Sequence, residues 1–564
     1  MKNHIIKITL GLLLFASYKS YAGLDWTYGS LTNANALHRY SQAVSYSSNG
    51  NVFVAGIEES ASGNRFIVTK KFNASGALLA SVTNTYFTPI GATIADWVKS
   101  ISLDASGNVY VLGSQFGSTA RGNDIVVIKY NSSLTFQWKN LLYNTAYPNN
   151  NFNDVPCKLF FDGSSNVYVS GTLANESVPD ETTIVVRKYN SSGTVIYTGH
   201  VGEPANTTVS NATDMCMDAS DNVTVTAKAQ NVLLGTPSIM CARVNPSGIT
   251  SWQKFSSIPT NYSLGNDPKI ECSTTGIFYL GTSLSREAPA NNYYARHMVQ
   301  KFNNSGTKLW ESLTTEINRG ANSYMMQLDA NENVYSGGDF VAAPGSPFSN
   351  YRIYKFNSAG AQLWGYTSPE NSAYMRFEKY STSALFVASQ IGNSGPAKLR
   401  KFNATNGNVI WTEDISITNP PGYIQSHITL SNLSVNKLTS EVVFCGNIFG
   451  QTAAPNSSNE YRWHIRKYGA TSPRFATVHH ENNSGEINVK VFPNPATDAI
   501  YINNLTADEN FNINIVDMVG REVYNCSATT TIKIQTSNLK EGMYLLRIEN
   551  DHGMRTEKII VKRN

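Results

Sequence analysis

Charge is scarce in this chain of 564 residues: Asp, Glu, Lys and Arg make up 15% of it, against 41% apolar residues. With abundant Tyr, Asn, Ser, Thr and Gly, that is the profile of strands and tight turns rather than of long helices. Long apolar runs are equally scarce, and past residue 22 none approaches the length needed to cross a bilayer as a helix. The formal net charge is only +4. Lys2, Lys7 and Lys19 supply three of those charges, so nothing advertises nucleic acid or an anionic membrane as a partner. Cysteine is sparse as well, six in all with no CxxC, which argues against zinc. Cys157, Cys216 and Cys272 fall in the same strand of successive repeats, while Cys241, Cys445 and Cys526 are scattered. Cys216 and Cys241 share a repeat with a strand between them, about 10 Å apart at ~4.8 Å per strand, out of disulfide reach. Buried free thiols are the expectation.

The catalytic signatures that a sequence can show are missing too. The nine histidines, among them His38, His200, His297, His427 and His464, form no HExxH and no paired metal spacing, and there is no GxSxG elbow. The sequence therefore gives no positive sign of an enzyme, and no cofactor or metal site is expected.

What is present begins with residues 1–22. Lys2 and Lys7 flank the start, Ile8 to Phe15 is apolar, and Ser20-Tyr21-Ala22 puts small residues at the −3 and −1 positions. This is the layout of a secretory signal peptide.

Beyond it one phrase recurs: Asn51-Val-Phe-Val-Ala-Gly56, Asn108-Val-Tyr-Val-Leu-Gly113, Asn166-Val-Tyr-Val-Ser-Gly171 and Asn333-Val-Tyr-Ser-Gly-Gly338, with weaker copies after Asn222, Gly276, Ala384 and Val442. A second follows each, including Lys71-Phe-Asn, Lys129-Tyr-Asn, Lys301-Phe-Asn and Lys355-Phe-Asn. The step, about 46 to 66 residues, suits a four-stranded propeller blade rather than a helical repeat. An Asp-x-x-Gly turn joins the first two strands, and Asn-x-Ser-Gly the last two. The fourth strand carries Trp138, Trp252, Trp310, Trp364 and Trp411, read as core packing between blades. Lone four-stranded sheets would expose two apolar faces, and radial stacking buries both. Leu24-Asp-Trp26-Thr-Tyr reads as a fourth strand with no first three, and the last unit lacks its own. The N-terminal strand is expected to close the ring over residues 23–469. Counting gives eight blades, or seven if one weak unit is misread.

These units resemble the SBBP-type β-propeller repeat, in which Asp-x-x-Gly-Asn-Val-Tyr-Val-x-Gly alternates with Lys-Phe-Asn-x-x-Gly-x-x-x-Trp; Asp104 to Gly113 and Lys301 to Trp310 carry the match. The resemblance implies a fold and is nearly silent on function.

Residues 470–487 read as a linker, and 488–564 as a second, small β-sandwich domain. Phe492-Pro493-Asn494-Pro495 opens it, Asp517-Met-Val-Gly520-Arg521-Glu-Val sits in the middle, Leu539-Lys-Glu-Gly542-Met-Tyr544 follows, and Lys562-Arg563 closes it. Gly520 and Gly542 suit turns. The domain resembles the type A sorting domain of the Bacteroidota type IX secretion system. That resemblance implies the type IX machinery as partner, and a secreted or cell-surface destination outside the outer membrane of a Gram-negative bacterium.

Remaining candidates are weighed on residue chemistry. Asp104, Asp162, Asp218 and Asp329 fit turn capping better than calcium, since the run from Asp329 lacks the glycine and glutamate of a calcium loop. The sequons at Asn73, Asn131 and Asn190 fall in hairpin turns. Asp96 and Asp154 open innermost strands, where an acidic channel cluster would support an enzyme. Two of the four connections per unit are long and variable, and both lie on one face of the ring. There aromatics accompany amides: Tyr147 and Phe152, Tyr293 and Tyr294, Phe348 and Tyr351. Aromatic rings with amide hydrogen-bonders suit a sugar or a polar protein surface. The expectation is an exported all-β binding module for a glycan or a surface protein; the competing readings are a polysaccharide-active or quinone-dependent enzyme and a structural surface protein.

Overall fold

The computed structural model describes residues 24–29, 39–60, 62–88, 97–118, 122–143, 153–174, 182–288, 292–318, 320–321, 324–341, 349–370, 372–379, 384–392, 395–415, 423–436, 439–452, 459–468, 489–503, 511–517, 522–529, 531–550 and 553–563. The proposed signal peptide and linker lie outside them. The chain divides into two compact units, Met1–Ala476 and Thr477–Asn564. Every regular element among the described residues is a strand, and no helix is long and apolar enough to cross a membrane.

The larger unit is propeller-like. Antiparallel up-and-down sheets span 39–88, 97–142, 155–201, 207–257 and 263–313. A nine-stranded sheet joins two such runs through the single pairing Ser349↔Ser372. In the last sheet Tyr423–Val435, Val442–Thr452 and Asn459–Tyr468 are completed by Leu24–Tyr28 from the other end of the chain. The closure expected from the orphan N-terminal strand is therefore present. The second strands are the most buried: Val109 through Leu112 and Val167 through Val169 are fully enclosed, as a strand covered on both faces must be.

Consecutive sheets are fastened by the residues that define the repeat. Trp138 Nε1 and Lys129 Nζ both donate to the Ser191 carbonyl, in the next sheet's hairpin turn, at 3.1 and 2.7 Å. Trp310 and Lys301 do the same to Ser358, and Trp364 and Lys355 to Ala404. Trp26 and Lys467, from opposite ends of the unit, converge on Ala74 and complete the circuit. The turn glycine is where the preceding tryptophan lies: a Cβ on Gly193, at φ +87°, would come within 2.7 Å of Trp138 Cδ2. Where the fourth strand carries Ala80 instead, the next turn carries Leu134 at φ +62°, buried against Ala80. Tryptophan and glycine thus form one packing unit spread over two repeats.

Innermost strands are linked differently. Several have a bulge that frees a backbone N–H from its own ladder, and the neighbouring sheet accepts it: Val98 N–H donates to Gln42 Oε1 at 2.7 Å, Ala212 to Thr172 Oγ1 at 2.7 Å, and Ser41 to Asn447 Oδ1 at 2.8 Å.

The cysteine expectation needs correcting. Cys216 and Cys272 form a disulfide, with Cα atoms 5.5 Å apart, inside the usual range. The sequence argument compared strands within one sheet, whereas these two occupy matching places in the first strands of adjacent sheets, which lie side by side. Cys157, Cys241 and Cys445 are buried free thiols, and Cys526 is a half-buried one.

In the smaller unit a three-stranded sheet (Lys490–Phe492, Ala499–Asn503, Ile532–Gln535) and a four-stranded sheet (Glu522–Ala528, Phe511–Asp517, Gly542–Asn550, Gly553–Val561) share one apolar core. Ile500, Ile502 and Ile534 of the first meet Ile513, Ile515, Leu546 and Ile559 of the second.

Candidate functional site

Antiparallel alternation puts the short turns at one end of every sheet and the variable connections at the other. The turn carboxylates are committed to backbone: Asp104 Oδ1 accepts the N–H groups of Ser106 and Asn108, and Asp162, Asp218 and Asp329 repeat the pattern. The sequon asparagines do likewise, Asn190 Oδ1 accepting from Ser192 and Thr194. Lys188 Nζ lies 3.0 Å from Asp162 Oδ2, so a repeat lysine balances a turn charge. Asp154 is buried and accepts the Ala174 N–H at 3.0 Å, which ties it to the neighbouring strand; Asp96 lies outside the described residues. Among the described residues no cluster of His, Cys, Asp and Glu could hold a metal ion.

Of the six aromatic candidates, Tyr147, Phe152 and Phe348 lie outside the described residues. Tyr351 is fully enclosed, its hydroxyl accepting from Arg400 Nη1 at 2.8 Å, so it is a core residue rather than a loop ligand. Burial pushes its hydroxyl pKa well above the ordinary value. Tyr293 and Tyr294 are half-buried and stand on a strand, because the connection read as a loop is a long hairpin, Phe278–Ala288 against Asn292–Phe302.

At the variable-loop end of the 207–257 sheet, that sheet and the connection that follows it, 258–262, line a cleft of about 570 Å³. Phe255, Ile258, Pro259 and Tyr262 give it apolar walls; Thr207, Asn231, Ser238 and Asn261 give it hydroxyls and amides. The size and the few convergent polar groups fit a small-molecule site. Beside it the tip of one hairpin exposes Leu233 and Leu234, 74% and 73% accessible.

Tyr262 is held firmly. Ser263 and Leu264 pair with Ser285 and Leu284, which sets Tyr262 opposite Arg286. Register places Leu284, Arg286, Tyr294 and Arg296 on one face of the hairpin. Arg286 grips Glu316 with two hydrogen bonds, 2.6 and 2.7 Å, and Tyr262 hydroxyl donates to the same carboxylate. These bonds, those from Arg286 foremost, hold the Glu316 carboxyl below its usual pKa range. The guanidinium carbons of Arg296 and Arg286 lie 5.2 and 5.9 Å from the Tyr262 ring centroid, and Arg286 lies 4.6 Å from that of Tyr294. The connection from Ser256 to Asn266 is one of the long, variable ones, and length is its only mark in the sequence. Phe255, Tyr262, Arg286, Arg296 and Glu316 carried no motif, and only their register and proximity in the fold bring them together.

In the smaller unit the motif residues fasten its ends. Asn494 donates through Nδ2 to the Lys558 carbonyl at 2.6 Å and accepts the Ile560 N–H at 2.9 Å. Pro493 and Pro495 flank it, each after a cis peptide bond. Tyr544 hydroxyl donates to the Lys540 carbonyl at 2.7 Å, and the Lys562 N–H to Ala496 at 2.9 Å. Gly542 opens a strand, immediately after a turn, and Asp517 ends one; Gly520 and Arg521 lie outside the described residues.

Residues 490–562 match a known family model, the secretion system C-terminal sorting domain. That is the chain's address. A sorting domain of this kind marks it for export, to the cell surface or beyond. No curated protein is similar enough in sequence to match the chain. Among solved structures, the polysaccharide lyase Uly1 aligns at 8% identity over 78% of this chain and 91% of its own, with a TM-score of 0.39. A PL25 ulvan lyase aligns at 11% identity over 70% and 97%, TM-score 0.38. The β-propeller domain of the Trilobed protease from Pyrococcus furiosus aligns at 7% identity over 68% and 99%, TM-score 0.35. At these scores the likenesses do not choose between binding and catalysis.

Proposed function

We propose that the chain is a binding module carried outside the cell by its sorting domain, and that it takes a glycan in the cleft beside Tyr262. In this reading residues 1–22 are a signal peptide, and the larger unit is an eight-bladed propeller of SBBP-type repeats. Residues 488–564 form a β-sandwich handled by the type IX machinery of a Gram-negative bacterium. Supporting the blade count are the eight sequence repeats and the run of first strands that lie one against the next and return to the start.

The observation that carries the functional reading is the cleft itself. It pairs aromatic walls with hydroxyls and amides, at the end of the ring where connections vary, on a scaffold locked by its own repeats. Flat rings stack on sugar faces while amides and hydroxyls meet sugar hydroxyls.

A thermal-shift panel with neutral and acidic oligosaccharides, Ca²⁺ and pyrroloquinoline quinone tests it. A ligand at 100 times its Kd should stabilise the unit that binds it by about 2.7 kcal/mol. A glycan shift that disappears in Tyr262→Ala is the expected result. A shift with the quinone or with Ca²⁺ alone would instead favour catalysis or a metal role.

A further inference from the structure

The charges around Tyr262 are unequal. Arg286 has a full partner in Glu316, through a bidentate pair. Arg296 has no such bonded pair: among the described residues it makes no hydrogen bond, its Nε is buried without an acceptor, it acts on Glu316 only through space, and the Tyr262 ring lies 5.2 Å away. Two guanidiniums and one carboxylate leave a net charge of about +1 around Tyr262, the one residue of this cluster that lines the cleft. Glu287, the nearest acid in sequence, is paired with Tyr293 and stands on the opposite face of the hairpin.

A guanidinium presents its donors as a planar fork that fits a carboxylate or sulfate, and stacking on an aromatic ring holds that fork in place. We propose that the ligand of this cleft is an acidic glycan whose carboxylate or sulfate group docks on Arg296 while a sugar ring lies against Tyr262. The proposal rests on the glycan reading of the cleft given above. An open cleft of about 570 Å³, lined in part by Thr207, Asn231 and Ser238, takes a few sugar rings rather than the broad, flatter surface of a protein partner.

The test is calorimetric titration of the full chain with four probes: an oligogalacturonate, a sulfated dextran oligomer, a malto-oligosaccharide of equal length and an oligo-glutamate peptide. The first two separate carboxylate from sulfate as the source of the anion. At least one is expected to bind more tightly than the neutral sugar, and Arg296→Gln is expected to weaken it tenfold or more with an unchanged melting temperature. Arg296→Lys keeps the charge but loses the fork, and should fall between. Neutral sugar bound as tightly as the acidic ones, or an Arg296→Gln variant as tight as the parent, overturns the anion proposal and leaves the glycan reading standing. Binding of the peptide alone, or of no probe, overturns the glycan reading and the proposal with it.

Discussion

Two buried histidines should make the ring acid-labile well above the range where carboxylates titrate. Burial, reinforced by the nearby cations Arg352 and Arg466, holds the pKa of His297 and His464 down at about 3 each. Their surroundings say why. His297 is enclosed by Phe340, Tyr324 and Tyr354 with Nδ1 at 2.8 Å from Ser336 Oγ, and His464 Nε2 accepts from Arg466 Nε at 2.9 Å. A proton on that Nε2 would replace an acceptor by a donor facing a cation. Unfolded histidine titrates near pH 6.5, so the neutral folded state is favoured fully above that value and loses ground as pH falls toward 3. From pH 6.5 to 4.5 each residue costs about 2.7 kcal/mol at ~1.36 kcal/mol per unit, or about 5 kcal/mol together. For the roughly 370 described residues of the larger unit at ~2.1 cal/mol/K each, the melting temperature should drop by about 7 °C. Burial also lowers His200 and His427, which add smaller losses of the same sign. Asp162, Asp214, Glu316 and Glu332 are held below their usual range, so their share is lost only as pH falls past about 4. The assay is a melting series at pH 7.5, 6.5, 5.5 and 4.5 for the parent and for His297→Gln with His464→Gln. A melting temperature flat across the series, or a double variant with the parent's slope, would refute the argument.

Gly193→Ala and Gly407→Ala each force a Cβ to within 2.7 Å of a tryptophan at positive φ, and should destabilise by about 1–3 kcal/mol in denaturant melts. Leu134→Gly should cost about 2–4 kcal/mol for the opposite reason, leaving a void beside Ala80. Peptide mapping without reductant should recover Cys216 joined to Cys272 with Cys157 free, and replacing the pair by serine should cost about 2–4 kcal/mol. Deleting residues 490–562 should keep the chain from reaching the cell surface or medium, as read by fractionation and surface proteolysis.

Much of the architecture was legible because the repeat writes its packing into the sequence. The Asn-x-Ser-Gly turn, the tryptophan that follows its asparagine by seven residues in most units, and the lysine ahead of both are parts of one latch. Leu24–Tyr28 could be recognised as a stray fourth strand because every other fourth strand follows three partners. The smaller unit was legible for the same reason: Asn494 and Tyr544 stand in motifs whose spacing is set by backbone contacts at the two ends. What sequence could not supply was neighbourhood between sheets. Free thiols were expected because only strands within one repeat were compared, whereas Cys216 and Cys272 hold matching positions in successive repeats, which become adjacent near the axis. Tyr351 looked like a loop aromatic because the end of a strand cannot be told from a loop by composition. Tyr262, Arg286, Arg296 and Glu316 come from separate segments, and no local pattern joins them.

The central claim is that ligand enters at the cleft of Phe255 and Tyr262. The most direct measurement is a titration of the tightest glycan from the panel against the parent, against Phe255→Ala with Tyr262→Ala, and against Phe136→Ala as a control. Phe136 is exposed on the outer strand of the 97–142 sheet, away from the variable loops. The account predicts a loss of about 30-fold or more when both cleft rings are removed, at ~1–2 kcal/mol per ring, and none for the control. Equal affinity in all three proteins would contradict it.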